Sequence, residues 1–389
     1  MIAAGQIPFD AERLDELLEQ AGADVLLATS GHAVRYLLGG YRFFLYAVLD
    51  GIGMDRYLPV VGYVRGAPER AFYVGAGNEA WGVDVSPPWV PSLELSAWTG
   101  AQAAEIAARR LQREGFGRAT IAIEPPHVPS DAIDRLRAEL PAARLMDGGQ
   151  LLEDLRAVKQ PHELELLRAG ATAVVDAMLA TFAGAAAGIT TGELAERLRV
   201  EQTERGLTYG YCLVAAGDSI NRAPSGRLVE EGAVVSLDSG AHMRGYVADL
   251  TRMAVAGEPA PRARELLDQI VEVQAAARAA VAGGRRGGGV FDAADAVIAE
   301  LPDGAAMTFL AHGTGLLSHE APRLTATGSP PYPATHREQP LQAGMVLSIE
   351  THAIDDAVGF VKLEDTVIVT ADGCEACGDH GRDWNRLGG

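Results

Sequence analysis

The chain has 389 residues, 48% of them hydrophobic and 22% charged, enough to bury a core in each of about two or three domains. Its formal net charge of −19 argues against nucleic acid or an anionic membrane as a partner, because both require a basic surface. No apolar run approaches the length of a membrane span, and the N-terminus lacks the basic-then-apolar order of a signal peptide.

The first part of the chain alternates short apolar strands with helices. An amphipathic helix is predicted over 10–22, and further helices over 100–114 and 130–139. The predicted strands cover 25–29, 57–64, 70–77 and 119–124. Such alternation is typical of an α/β domain. We therefore expect an α/β domain over 1–155 and a second domain over 156–389.

The second part begins with a long helix, predicted from Pro161 to about residue 183, because proline is tolerated in a first helical turn and Gly184 can end the helix. Thr190 and Glu193 have the spacing of a capping box, which begins the next helix. Two acidic strand pairs follow, separated by a helix over 262–282. Antiparallel strand pairs and long helices together predict an α+β fold.

The first acidic strand pair lies in residues 234–255, where apolar and β-branched residues flank a short polar turn. With Met243 and Arg244 as the turn, Asp238 is expected directly opposite Asp249. Like charges opposed in this way destabilise a sheet unless a cation compensates them. A single pair would be explained more simply as acids that face solvent.

The second acidic pair repeats the arrangement. Strands over 345–354 and 360–370 flank a loop centred on Ala357, which places Glu350 opposite Glu364. A histidine loop, HGTGLLSHE, lies between the two pairs in the sequence. Four carboxylates and one imidazole suit two divalent ions that share oxygen ligands. The predicted metal ligands are Asp238, Asp249, His312, Glu350 and Glu364.

Six segments of the second domain resemble the creatinase, aminopeptidase P and prolidase family: LRAVKQPHELELLR, PSGRLVEEGAVVSLDSG, GYVADLTR, HGTGLLSHEAP, MVLSIE and VKLEDT. The order of the five ligands also matches the dinuclear ligand set of that family. The resemblance implies a C-terminal pita-bread domain preceded by a smaller creatinase-type α/β domain. It further implies a metallohydrolase that cleaves a C–N amide bond, most simply that of an Xaa-Pro peptide.

The resemblance also implies individual roles for the ligands. Asp249 and Glu364 resemble the bridging carboxylates, Asp238 resembles a bidentate ligand of one ion, and His312 with Glu350 resembles the ligands of the other. Manganese suits such carboxylate-rich donors, as do iron, cobalt and zinc.

Two residues are expected to act on the substrate. A water between two cations loses a proton near neutral pH, and Glu350 is the expected group to move that proton. His319 resembles the family's substrate-contacting histidine, which stabilises the tetrahedral intermediate. The alternative for His319 is a capped loop histidine without a catalytic role.

Three positions depart from the family pattern around the predicted site. Asn221 stands where many peptidases of the family carry histidine, Lys362 where they tend to carry arginine, and Thr351 where they carry proline. Asn221 and Lys362 are therefore candidate substrate-binding residues with altered chemistry. They keep open a small non-peptide substrate, such as a creatine-like, ectoine-like or sulfonium compound. An inactive binding module is a further alternative, which the complete ligand set opposes.

An aromatic cluster, Tyr41-Arg42-Phe43-Phe44, follows a Gly-Gly turn. It is either a core segment with one exposed arginine or, as the resemblance implies, part of a small domain that reaches the active site of the neighbouring subunit in a homodimer. In the second case Arg42 and its aromatic neighbours would suit a substrate carboxylate or a cationic ligand held against the rings.

The three cysteines, Cys212, Cys374 and Cys377, do not form a disulfide framework. They indicate the reducing cytoplasm as the compartment. The Cys374–Cys377 spacing lacks a second cysteine or histidine pair, so we interpret it as incidental.

Overall fold

The computed structural model describes residues 6–43, 58–83, 87–327 and 331–389. The chain divides into two compact units, Met1–Leu155 and Arg156–Gly389. Each unit contains one large β-sheet and a hydrophobic core of its own.

The first unit combines a mixed sheet with helices. Its elements are α1 (Ala11–Ala21), β1 (Val25–Ala28), α2 (Gly31–Leu37), β2 (Val60–Val64), β3 (Phe72–Ala76), α3 (Ala80–Val83), β4 (Ser92–Ala97), α4 (Gly100–Arg113), β5 (Thr120–Ile123), α5 (Ser130–Glu139), β6 (Arg144–Asp147) and α6 (Gly149–Ala157). The strand order is β4-β3-β2-β1-β5-β6. The predicted α/β character is therefore confirmed. Prediction missed β4 and β6, whose side chains are mostly half-exposed or exposed and give no apolar run.

The second unit is built on an antiparallel sheet with long helices. Its elements are α7 (Pro161–Ala183), α8 (Thr191–Glu204), β7 (Thr208–Ala216), β8 (Val234–Met243), β9 (Tyr246–Val255), α9 (Pro261–Ala280), α10 (Gly289–Glu300), β10 (Met307–Gly313), β11 (Val346–Asp355), β12 (Gly359–Val369), β13 (Cys374–Cys377) and β14 (Asn385–Arg386). The main path runs β10-β11-β12-β9-β8-β7. The two acidic hairpins thus meet where β12 pairs with β9.

The predicted helix signals in the second unit are confirmed. Pro161 occupies the first turn of α7, and the Glu163 carboxylate accepts a hydrogen bond of 2.8 Å from the backbone N–H of Gln160. Gly184 caps the end of that helix. Thr190 and Glu193 form the reciprocal capping box at the start of α8. These local contacts supply partners for backbone groups that the first helical turn cannot satisfy.

Helix α7 is long and apolar enough to cross a membrane by length and composition alone. The expectation that no apolar run approaches that length is therefore wrong, because alanine, valine and leucine raise the mean hydropathy of this helix. Half of its apolar window is buried, and the helix packs against β8 and β9. Arg168 near its middle pairs with Glu375 at 2.6 Å. These contacts are those of a core helix in a globular unit.

The register of the first acidic hairpin differs from the predicted one. The turn is Arg244–Gly245, with φ of 50° and 97°, as a two-residue turn with two positive φ angles requires. Glycine takes such an angle without steric cost, and this moves the turn one residue beyond the predicted position. Asp238 consequently lies opposite Thr251 rather than Asp249, and Asp249 lies opposite Gly240. The two aspartates still share one face of the sheet, on a diagonal.

The register of the second hairpin is as predicted. Glu350 lies directly opposite Glu364, and Asp355 lies opposite Gly359 at the loop. Because Glu364 also pairs with Thr251 on β9, β12 carries its carboxylate into the space between the two hairpins.

Candidate metal centre

The five predicted ligands come together on one face of the second sheet. Asp238 and Asp249 come from β8 and β9, Glu350 and Glu364 from β11 and β12, and His312 from the end of β10. They form two groups that share Glu364, namely His312–Glu350–Glu364 and Asp238–Asp249–Glu364. Within each group the potential ligand atoms lie within 4.8 Å of one another.

Two buried polar atoms of this cluster lack a hydrogen-bond partner among the described residues. They are Nε2 of His312 and Oδ1 of Asp249, one in each group. The Nδ1 atom of His312 lies 3.1 Å from the carbonyl oxygen of Gly313, so Nδ1–H donates there and Nε2 keeps its lone pair for a metal. Hydrogen bonding of the second ring nitrogen is the usual way in which a metal-bound histidine is oriented. The donor set therefore fits divalent cations.

The carboxylates of the cluster repel one another in the absence of a cation. Burial raises the pKa of Asp249 well above its usual range, and the charges of Glu364 and Asp238 add to the increase. Burial and the charge of Glu350 raise the pKa of Glu364. Burial would also raise the pKa of Glu350, but the opposing effects, of which the charge of Lys362 is the largest, lower it below its usual range. The buried carboxylates therefore attract positive charge to this face of the sheet.

Lys362, predicted as a substrate-binding residue, lies among the ligands themselves. Its Nζ atom is 2.6 Å from Asp238 Oδ2, 2.5 Å from Glu350 Oε2 and 2.8 Å from Glu364 Oε2. Burial lowers the pKa of this ammonium, but the three carboxylates outweigh burial and raise it well above its usual range. Lys362 is therefore a charged member of the cluster.

His319 lies beside the ligand histidine. Its ring stacks on that of His312 with centroids 3.7 Å apart and an interplanar angle of 15°. Burial and the neighbouring His312 lower the pKa of His319 to about 3, which leaves the ring neutral. Its Nδ1 atom lies 3.3 Å from the hydroxyl of Tyr332.

A buried ion triad holds the loop that carries His319. Glu320, the next residue, pairs with Lys159 at 2.6 Å and with Arg156 at 3.4 Å, and all three side chains are at most 2% exposed. Breaking a buried pair leaves an uncompensated charge and is strongly destabilising. The triad therefore anchors the buried side of the loop and restricts the position of the His319 ring.

The remaining predicted substrate residues lie at exposed positions. Asn221 is exposed in the loop after β7, where its Oδ1 accepts a hydrogen bond of 3.1 Å from the backbone N–H of Ala223. Arg42 is exposed in the first unit, between Tyr41, whose hydroxyl donates to Glu79 at 2.7 Å, and the buried Phe43. Phe44 lies outside the described residues. Substrate binding by Asn221 or Arg42 stays a prediction.

Four residues around the ligands were missed by sequence reasoning. Arg222 contacts Asp238, and burial together with the charge of Asp249 raises the pKa of Tyr211. Glu364 accepts hydrogen bonds of 3.0 Å from Thr251 and 2.7 Å from Ser348. The last two could have been found from the alternation of strand side chains, because each lies two positions from a predicted ligand.

The first unit contains another histidine–carboxylate group, formed by His32, Glu124 and His127. The Ser30 hydroxyl lies 3.1 Å from His32 Nε2 and donates to Glu124 at 2.6 Å. Glu124 also accepts the backbone N–H of Thr29 at 2.7 Å. These bonds account for the approach of His32 and Glu124 without an ion.

Residues 165–371, more than half of the chain, match the profile of metallopeptidase family M24. The chain belongs to metallopeptidase family M24. Residues 11–158 match the creatinase/prolidase N-terminal domain. The pita-bread fold and the creatinase-type first domain, expected from the resemblance, are thereby confirmed, and membership of the M24 family implies an enzyme that uses divalent metal ions.

Relatives of this M24 chain are peptidases. An uncharacterized peptidase of Bacillus subtilis, YqhT, is 24% identical over 93% of this chain and 95% of its own length. An Xaa-Pro dipeptidase of Pyrococcus furiosus is 27% identical over 58% of this chain and 64% of its own length. The solved structure of an Xaa-Pro dipeptidase from Bacillus anthracis covers 97% of this chain and 99% of its own, with 22% identity and a TM-score of 0.80. That likeness shows the shared M24 fold.

Proposed function

We propose that this M24 chain is a dinuclear Xaa-Pro peptidase. The observation that carries the proposal is the buried cluster of four carboxylates and one imidazole, in which His312 Nε2 and Asp249 Oδ1 lack a hydrogen-bond partner within the described part of the chain. The name Xaa-Pro dipeptidase, borne by the relative from Pyrococcus furiosus, supports the substrate class. A non-peptide substrate is not favoured, because the relatives described above are peptidases.

The ligand residues would hold two divalent cations. His312, Glu350 and Glu364 would hold one, and Asp238, Asp249 and Glu364 the other. When bound, such cations polarise a carbonyl oxygen and lower the pKa of a water molecule. Glu350 is kept ionised by the charge of Lys362, so it can accept a proton at the start of the reaction and return it to the leaving nitrogen.

His319 would stabilise charge on the scissile carbonyl oxygen. The Tyr332 hydroxyl lies within hydrogen-bond distance of Nδ1. In the tautomer in which that hydroxyl donates to Nδ1, the ring proton of this neutral histidine is on Nε2, from which it can be donated as a hydrogen bond. The loop behind it is fixed by the Glu320 ion triad, which pre-organises the donor before substrate arrives.

A cationic side chain lies close to this histidine. The guanidinium of Arg323 lies over the ring of Tyr332, 4.5 Å from its centroid, and Tyr332 in turn contacts His319. A cation close to the proposed catalytic histidine can pair with the free carboxylate of a short substrate. This arrangement favours a dipeptide over a long peptide.

We expect crystals grown with millimolar manganese to contain two ions about 3.5–4 Å apart, the separation typical of two-metal hydrolases. Anomalous scattering at the manganese edge measures both their positions and their number. A metal-replete crystal with no ion near Asp249 and Glu364 would contradict the proposed site.

We expect the manganese-loaded protein to hydrolyse Ala-Pro with kcat/KM of about 10⁴ M⁻¹s⁻¹ or more, the range of ordinary enzymes on their own substrates. Ala-Ala tests the requirement for proline, and Ala-Pro amide tests the requirement for a free carboxylate. Cleavage of Ala-Ala as fast as Ala-Pro would remove the Xaa-Pro assignment. Absence of peptide hydrolysis by protein that holds its metals would remove the peptidase function.

We propose manganese as the native metal, a homodimer as the assembly and the cytoplasm as the compartment. A carboxylate-rich donor set with one imidazole supports manganese, and it also suits iron, cobalt and zinc. The three free cysteines support a reducing compartment.

A further inference from the structure

Helix α9, all of whose residues the structure describes, has a single polar residue among its buried positions, Gln274. Its side chain is 0% exposed. The helix packs against β11 and β12, and its apolar residues Ile270 and Val273 share a core cluster with Ile349 and Leu363 of those strands. Gln274 is therefore a polar side chain at an otherwise apolar contact between a helix and the sheet.

The glutamine approaches the β11–β12 hairpin from the face opposite to the metal ligands. Successive strand residues point to opposite faces, so Ile349 and Leu363 point towards α9, whereas the residue after each points to the metal centre. Gln274 Nε2 donates to the carbonyl oxygens of Ile349 and Leu363, at 3.0 and 2.7 Å. Each carbonyl belongs to the peptide group that precedes a ligand, Glu350 in one strand and Glu364 in the other. One amide thus bonds both strands at the level of the opposed glutamates.

The acceptors determine the orientation of this amide. A carbonyl oxygen can only accept a hydrogen bond, so the NH₂ end of Gln274 must face the strands and its Oε1 atom must face away. That Oε1 atom is buried and has no hydrogen-bond partner among the described residues. A buried polar atom without a partner destabilises the fold, and methionine would fill the site without such an oxygen. Packing alone therefore does not explain a glutamine at this position.

The opposed glutamates give the two hydrogen bonds a role in placing the ligands. Glu350 lies directly opposite Glu364, and like charges in that arrangement destabilise the pairing of their strands. Because a carbonyl oxygen has two lone pairs, it can accept from Gln274 in addition to any partner in the sheet. The amide therefore opposes separation of the strands at the level where the carboxylates repel one another.

We propose that Gln274 is a positioning residue for the metal centre. From the back of the sheet, its amide fixes the spacing of Glu350 and Glu364, and so the distance between the two groups of ligands that share Glu364. Ligand spacing that is set before an ion arrives favours binding. The inference rests on the two-ion function proposed above and adds a residue of α9, on the opposite face of the sheet, to those on which that function depends.

The test compares two buried glutamines. Gln274→Met removes both donated hydrogen bonds and keeps an unbranched side chain with three rotatable bonds. The matched control is Gln202→Met on α8. Gln202 is also 0% exposed, and its Oε1 atom also lacks a partner in the described part of the chain. Its amide, however, donates at 3.0 Å to a side chain, the hydroxyl of Ser239, rather than to two backbone groups.

Zinc affinity separates positioning from stability. Calorimetric titration of the metal-free proteins, well below their unfolding temperatures, measures binding to chain that is already folded. We expect Gln274→Met to weaken zinc binding by about tenfold or more, as loss of a contact that orients ligands does. We expect Gln202→Met to keep an affinity close to that of the wild type. Thermal unfolding with chelator present measures the stability of each variant separately.

A spectroscopic measurement reports on the spacing itself. The exchange coupling between two manganese ions depends on the distance and the shared ligands between them, and electron paramagnetic resonance measures it. We expect the coupling to change in manganese-loaded Gln274→Met and to remain as in the wild type in Gln202→Met. Neither measurement uses a peptide. A wild type that binds both ions without cleaving Ala-Pro would therefore reject the proposed activity and leave the role of Gln274 intact.

Three results would overturn the inference. The first is wild-type zinc affinity and wild-type manganese coupling in Gln274→Met, and the second is an equal effect of the two glutamine substitutions. The third concerns folding, for which Gln274→Leu is a second variant with an apolar side chain in an apolar cluster. If Gln274→Met and Gln274→Leu both failed to fold while Gln202→Met folded, Gln274 would be a structural residue and not a positioning one.

Discussion

Replacing either carboxylate that the family resemblance implies as bridging, Asp249→Asn or Glu364→Gln, is expected to lower kcat/KM for Ala-Pro by at least about 10³-fold. Each change removes a full negative charge from a buried position that both hairpins approach, and a loss of several kcal/mol in transition-state stabilisation corresponds to that factor. Steady-state kinetics on manganese-loaded protein measures the loss. Metal content, measured by elemental analysis on the same samples, is expected to fall as well.

The matched control is the double variant Cys374→Ser with Cys377→Ser. Both cysteines belong to β13, which pairs with the end of β12, and both are free thiols. They are therefore near the strand that carries Glu364 without being ligands. If the cysteine variant lost its metal while Asp249→Asn kept full activity, the metal centre would have to be placed elsewhere.

Arg252→Met is expected to destabilise the second unit by about 3 kcal/mol or more, because several buried carbonyl oxygens lose their donor at about 1–3 kcal/mol each, although Asp365 keeps Arg278 and Arg382 as partners. Arg252 is fully buried and pairs with Asp365 at 3.1 Å. It also donates hydrogen bonds of 2.7–2.8 Å to four backbone carbonyl oxygens, those of Thr251, Glu364, Gly378 and His380. Methionine fills the space but leaves these oxygens without their donor.

Arg262→Met is the matched control for this prediction. Arg262 also donates four hydrogen bonds, to Asp303 and Asp355, but its side chain is 37% exposed. Its loss is expected to cost at most about 1 kcal/mol. Hydrogen exchange of β9 and β12, read by mass spectrometry at equal chelator concentration, measures both changes locally. Equal effects of the two substitutions would show that burial does not decide the role of Arg252.

The ligand residues could be predicted because the strands that carry them have strong apolar patterns. Glu350 and Glu364 were placed opposite each other correctly, since the loop between their strands is centred as the sequence indicates. The predicted register of the first hairpin is wrong, because the turn lies one residue further along the chain. The prediction did not weigh that Gly245 takes a positive φ more readily than Met243, and this preference sets the register.

The contacts of Lys362 with the metal ligands could not be predicted in full from the sequence, which suggested a substrate-binding residue. It lies two positions before Glu364 on the same strand, so alternation alone puts both side chains on one face. What the sequence does not contain is the approach of β9 to β12, which brings Asp238 within 2.6 Å of the lysine. The role of Arg222 depends on a loop conformation and has no periodic signal at all.

Strand β12 is the last long strand of its sheet to be synthesised, yet it occupies the middle of the strand order, between β11 and β9. At about 5–20 residues per second, a ribosome takes about 6–25 s to travel from Asp238 to Glu364. During that interval the edge of β9 has no neighbour in the newborn chain, and unpaired strand edges invite association with other chains. The Asp238–Asp249–Glu364 group is complete only after this gap closes, so insertion of one strand both covers the edge of β9 and assembles that set of ligands.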